Sequence, residues 1–182
     1  MGELRSAWEI AQEKAEKLGI LSPEEQRQQK EQQCCLTGTA LAQKYLDAPE
    51  WQALITELQK YPEEEQDSIR GAIISHLAET MDLRNTGRLE RAVEILASLE
   101  SRSQPITEQI TELIEEFHQA EKKTRQEIEH EGRETLHQMR ISGTAVGSIN
   151  IEAREEWREL WYNLVTPFAQ RLDTLKQELS HL

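Results

Sequence analysis

Residues 104–139 read QPITEQITELIEEFHQAEKKTRQEIEHEGRETLHQM. After Pro105 at its start, the stretch has no proline and one glycine, Gly132. Ile106, Ile110, Leu113, Ile114 and Phe117 recur at helical spacing, so the first half has one strongly apolar face. Ala120, Thr124, Ile128, Thr135 and Met139 extend that stripe thinly between charges. A single helix over this range would run roughly 50 Å at 1.5 Å per residue. A helix of that length with a weak second half is usually an arm or one strand of a coiled coil.

Toward the N-terminus the helix signals continue. Leu4, Trp8, Ala11, Ala15 and Leu18 share a face over residues 3–18, and Gly19 supplies the stop. Ser22-Pro23-Glu24-Glu25 is a capping box with proline at the first helical position. The helix it opens begins with EEQRQQKEQQ, which offers no apolar face, and gains one only from Cys34 through Leu41 and Tyr45. Asp47-Ala48-Pro49-Glu50 repeats the start signal ahead of Trp51, Leu54, Ile55 and Leu58, and Tyr61-Pro62 ends that helix. Two more helices are expected at about 63–82, with Ile69, Ile73, Leu77 and Met81, and at about 87–100, with Leu89, Val93, Leu96 and Leu99. Short loops between these helices favour antiparallel neighbours. ITEL occurs at 55–58 and again at 110–113, but no fixed period follows, so the chain is not read as a solenoid.

Toward the C-terminus, residues 139–151 read MRISGTAVGSINI. Ile141, Gly143, Ala145, Gly147, Ile149 and Ile151 alternate with Ser142, Thr144, Ser148 and Asn150, broken by Val146, which favours a short strand or hairpin. An isolated hairpin is marginal in water, so it must rest on helices or pair with a second copy of itself. A phosphate loop fits poorly, because Gly143 and Gly147 lack the P-loop spacing and lysine, and Glu152, Glu155 and Glu156 follow. The last helix, about 152–181, has Trp157, Trp161, Leu164, Phe168, Leu172, Leu175 and Leu179 on one face. Thr166-Pro167 should kink it or divide it in two.

The expected fold is therefore all-α. A multi-helix bundle contains one extended helix at about 104–139, a small β element at about 140–151 and a kinked C-terminal helix. Residues 1–101 form an N-terminal helical bundle, and residues 102–182 pack with it as one body.

Composition narrows function. With 34 acidic against 21 basic residues the net charge is −13, which repels nucleic acid and anionic membrane surfaces. No stretch approaches the roughly 20 apolar residues of a spanning helix, and the first residues lack the apolar core of a signal peptide. Met1-Gly2-Glu3-Leu4-Arg5-Ser6 matches a myristoylation pattern, but the amphipathic helix explains the same residues. Cys34 and Cys35 are adjacent, a poor arrangement for a disulfide or a shared metal, and cytoplasmic residence is the expectation.

Glu-x-x-His occurs at Glu115/His118, Glu127/His130, Glu134/His137 and Glu178/His181. Di-iron carboxylate bundles use this spacing on two helices, with an inward Glu from each of two others. Here three copies fall on one helix and the fourth at the chain end, so no metal site is expected. His130, Glu134 and His137 share one face and could collect adventitious zinc or nickel. No nucleophile elbow or His-Glu-x-x-His motif is present, and His76 reads as a partly buried core histidine. Arg84, Arg88 and Arg91, against Asp82 and Glu90, make the 82–91 loop the one candidate for a small anion.

An acidic chain with a long helix and a small β element resembles in layout the nucleotide-exchange cochaperones that act with heat-shock chaperones. The likeness covers no motif and assigns no residue. The expected function is a non-enzymatic, homodimeric interaction or scaffolding protein, cochaperone- or adaptor-like, presenting a long acidic helix to a protein partner and using no cofactor. Its interface residues are expected at Ile128, Met139, Ile141, Val146, Ile149 and Ile151. A metal-binding carboxylate/histidine bundle and a small-anion binder at 82–91 are the alternatives.

Overall fold

The computed structural model describes residues 22–141, 150 and 155–181. Six α-helices run in order among them: α1 (Pro23–Leu46), α2 (Ala53–Leu58), α3 (Glu63–Thr80), α4 (Thr86–Leu99), α5 (Gln104–Gln138) and α6 (Glu155–Leu179). Single 3-10 turns at Leu83–Asn85 and Ser101–Ser103 lead into α4 and α5. The described residues contain no strand; the expected helix at 3–18 and nearly all of the expected β element lie outside them.

α1 starts where its capping box places it. Ser22 Oγ accepts from Glu25 N at 3.2 Å, and Ser22 N donates to Glu25 Oε2 at 2.7 Å. Residues 23–33 are all exposed, as their lack of apolar side chains requires, and burial begins at Cys34. From there α1 packs against α3. Lys30 faces Glu65 at 3.4 Å, and Gly38 sits on Ile69, Ala72 and Ile73, so the two helices run parallel. A Cβ on Gly38 would lie 2.6 Å from both the Ala72 Cβ and the Ile69 carbonyl oxygen. Glycine is what allows this crossing.

The start signal at Asp47 is not used. Residues 49–52 form turns, α2 begins at Ala53, and its N-cap Gln52 makes no side-chain cap. The Asp47 carboxylate instead meets Arg88 Nε at 3.3 Å, while Arg91 Nη1 donates to the Leu46 carbonyl at 3.1 Å. These contacts tie α4 to the end of α1. The return through α2 lets α3 begin again beside the middle of α1.

One apolar core joins all six helices, with Leu46, Leu54, Ile73, Leu77, Ile95, Leu113 and Leu179 at its centre. Ser103 is fully buried at the α4–α5 corner, its hydroxyl directed at the carbonyls of Glu100 (2.6 Å) and Leu96 (3.0 Å). α5 and α6 pair antiparallel: Glu116 faces Arg171, Phe117 meets Phe168, and Ile128 meets Trp157. The thin second half of α5 thus has a partner within the chain as far as Ile128, and Arg125 lies over the Trp157 ring at 4.8 Å. Past that point the covered face drifts to Gly132 and the half-buried Leu136, leaving Thr135 exposed. The covered stripe therefore runs through Leu136 and not, as the spacing predicts, through Thr135.

α5 stops at Met139 through a Schellman motif. Arg140 takes φ 62°, its N–H donates to the His137 carbonyl at 2.9 Å, and Ile141 N–H donates to the Leu136 carbonyl at 2.9 Å. α6 is continuous through Pro167, so the expected division into two helices does not occur. The carbonyl that loses its donor there belongs to Asn163, which is exposed to water.

Candidate functional site

The sequence-derived metal candidates stay on the surface. His130 Nε2 approaches Glu134 Oε1 at 3.4 Å, both largely exposed, and His137 lies one turn further along the same helix. No group of three possible metal-binding side chains forms among the described residues. The only buried polar residues there are Ser103 and Thr107, so the described core presents no inward Glu or His of the kind a di-metal bundle uses. His76 is half-buried.

The arginines of the 82–91 loop separate. Arg88 and Arg91 are engaged with the end of α1, although Arg88 Nε meets Asp47 in a geometry too poor for a hydrogen bond. Only Arg84 is left over. Its backbone N–H donates to Asp82 Oδ1 at 2.9 Å, which fixes the turn, and its side chain reaches the outer face of α6.

There it borders a groove of about 470 Å³. Along its floor runs a row at four-residue steps: Trp157, Trp161, Val165, Ala169. Beside it runs a second row: Arg158, Tyr162, Thr166, Gln170. Trp157 is buried and Trp161 half-buried, because their inward edges pack on Ile128 and Phe117. Tyr162 is 71% exposed; Leu160, 42% exposed, lies on a different side of α6 and does not line the groove. Asp173 closes one end and is drawn toward Lys176 at 3.5 Å.

The groove has the composition of a docking surface. It combines aromatic area at low entropic cost with arginine at its edge and no catalytic pair. Nothing matches. Comparison with protein-family models, with curated proteins and with solved structures returns no relative of this chain. The functional reading therefore rests on the site's own chemistry.

Of the residues expected at an interface, Ile128 is buried against Trp157 and has little surface left for a second chain. Met139 (65% exposed) and Ile141 (48%) stand free at the end of α5. Val146, Ile149 and Ile151 lie outside the described residues. Periodicity places both tryptophans on the buried face of the last helix, as the structure does, and so gives no sign of the groove that Arg158, Tyr162 and Arg84 complete beside them. The signal available was the run WRELWY, where arginine and tyrosine interleave with the tryptophans.

Proposed function

We propose that this protein is a non-enzymatic helical interaction protein, adaptor- or cochaperone-like, that docks a partner protein on the outer face of α6. The observation that carries this reading is the aromatic groove with exposed Tyr162 and unpaired Arg84 at its border. Solvated helix faces do not ordinarily hold a largely exposed tyrosine over tryptophan beside unpaired arginine. The acidic outer face of α5 holds acidic chains off that side of the molecule and leaves the groove's arginines as the local positive site. The two free cysteines, Cys34 and Cys35, fit work in a reducing compartment such as the cytoplasm.

Affinity capture from an extract of the native host tests this reading. The wild-type chain should retain a protein that Tyr162→Asp loses, with unchanged circular dichroism. Identical retention by both chains would overturn the assignment.

Homodimerisation is a second reading, supported by Met139 and Ile141 standing exposed next to the 142–151 segment. Light scattering should then report twice the chain mass, reverting to one chain in Met139→Glu/Ile141→Glu. A monomer at every concentration would end it.

A further inference from the structure

The shape of the groove and its unpaired charge identify the kind of partner. Its lining is two adjacent rows of α6 side chains, each advancing by four residues. Such rows are the ridges between which a ridge of another helix seats. From Trp157 to Asp173 the rows extend roughly 24 Å at 1.5 Å per residue, the length of about four helical turns. A compact small molecule would not need that length; a helix laid along the groove would fill it.

The charge points the same way. Arg27, Arg70, Arg88, Arg125, Arg133 and Arg171 each face a carboxylate, and Arg91 donates to a backbone carbonyl. The side chains of Arg84, Arg102, Arg140 and Arg158 have no such partner among the described residues, and of these Arg84 and Arg158 line the groove together. In a chain of net charge −13, two arginines without acid partners beside one apolar floor, whose one lining carboxylate, Asp173, is drawn to Lys176, form a local cationic site. Guanidinium groups beside aromatic surface suit carboxylates that lose water on binding.

We propose that this groove receives one amphipathic, acidic α-helix of a partner protein. Its apolar ridge seats between the two rows, and its flanking carboxylates pair with Arg84 and Arg158. The inference rests on the interaction reading above and adds the class of partner. Among the described helices, a second copy offers no fitting segment. The exposed start of α1 has no apolar residue, and the outer face of α5 is charged without an apolar ridge.

The test uses the full-length chain and three fluorescein-labelled probes. The first is a stapled helical peptide of repeated Leu-Glu-Glu-Leu. The second has Gln for every Glu, and the third is the first with central prolines and no staple. Fluorescence anisotropy should show the acidic helix binding at least about tenfold tighter than the Gln helix, or about 1.4 kcal/mol. Arg84→Ala/Arg158→Ala should erase that difference while leaving the Gln helix unchanged. Tyr162→Ala should weaken both helices.

Equal binding of the Glu and Gln helices would overturn the acidic class. Equal binding of the proline peptide would overturn the helical one. Binding by none of the probes, or a wild-type dimer that Tyr162→Ala renders monomeric, would overturn the proposal outright. If Tyr162-dependent capture from extract persists while the probes fail, the interaction reading stands and only this partner class falls.

Discussion

Phe117 and Trp161 meet edge to face, ring centroids 5.8 Å apart and planes inclined 68°. Phe168 closes on the same Phe117 ring at 5.5 Å and 71°. This contact joins α5 to the helix bearing the groove, and Phe117 is 1% exposed. Truncating it removes a large buried ring and leaves a cavity under Trp161. Phe117→Ala is expected to cost about 3–5 kcal/mol by urea denaturation. A loss below about 1 kcal/mol would mean that α6 does not depend on this contact.

Two glycines on facing helices should respond to alanine with opposite sign. At Gly38 the added methyl would stand 2.6 Å from Ile69 O and Ala72 Cβ, forcing α1 and α3 apart. Gly38→Ala should destabilise by about 1–3 kcal/mol. Gly71 is exposed within α3 and has nothing within 4 Å of such a methyl. Gly71→Ala should stabilise by about 0.5–1 kcal/mol through helix propensity and chain entropy. Thermal melts of the two variants shifting in the same direction would contradict the parallel α1–α3 crossing.

The long helix was legible because its pattern is local: Ile106, Ile110, Leu113, Ile114 and Phe117 fix its face without knowledge of any partner. The Ser22–Glu25 capping box was legible for the same reason. Asp47 was misread because capping potential and long-range pairing compete for one carboxylate, and Arg88 lies 41 residues away. The close approach at Gly38 carries no signal in its own neighbourhood, since Ala72 creates it. The groove was half legible. Its aromatic rows lie in one helix, but Arg84 comes from a turn that only the fold brings alongside.

Arg140 holds a left-handed backbone conformation, φ 62°, that favours glycine. It does so to complete the hydrogen bonds to Leu136 and His137 that end α5. Replacing it removes the Cβ penalty without disturbing those bonds. Arg140→Gly should therefore stabilise the chain by about 1 kcal/mol, read as a raised Tm. Arg140→Val should lower Tm, since a β-branched residue resists that backbone. Indifference to both would argue against the Schellman stop.

The capping box gives an acid-sensitive contribution at the start of α1. The backbone N–H of Ser22, and then its hydroxyl, hold the Glu25 carboxyl below the usual glutamate range. A group whose folded pKa is depressed stabilises the fold fully above its unfolded value. That contribution is lost as pH falls through the folded value. Ser22→Ala should cost about 1 kcal/mol and move the Glu25 carboxyl titration upward in NMR. A Glu25 carboxyl titrating in the ordinary glutamate range in the unmodified chain would show that the box is not formed in solution.

The central claim is that the outer face of α6 is where another protein binds. Incorporating a photo-crosslinking phenylalanine analogue at Tyr162, with Glu131 on the outer face of α5 as the comparison position, tests it most directly. Irradiation in the native host should yield a heavier adduct from position 162 that contains a different protein. Arg84→Glu/Arg158→Glu should abolish that adduct, and position 131 should not form it. The absence of any adduct at 162, or one that survives the charge reversal, would contradict the account.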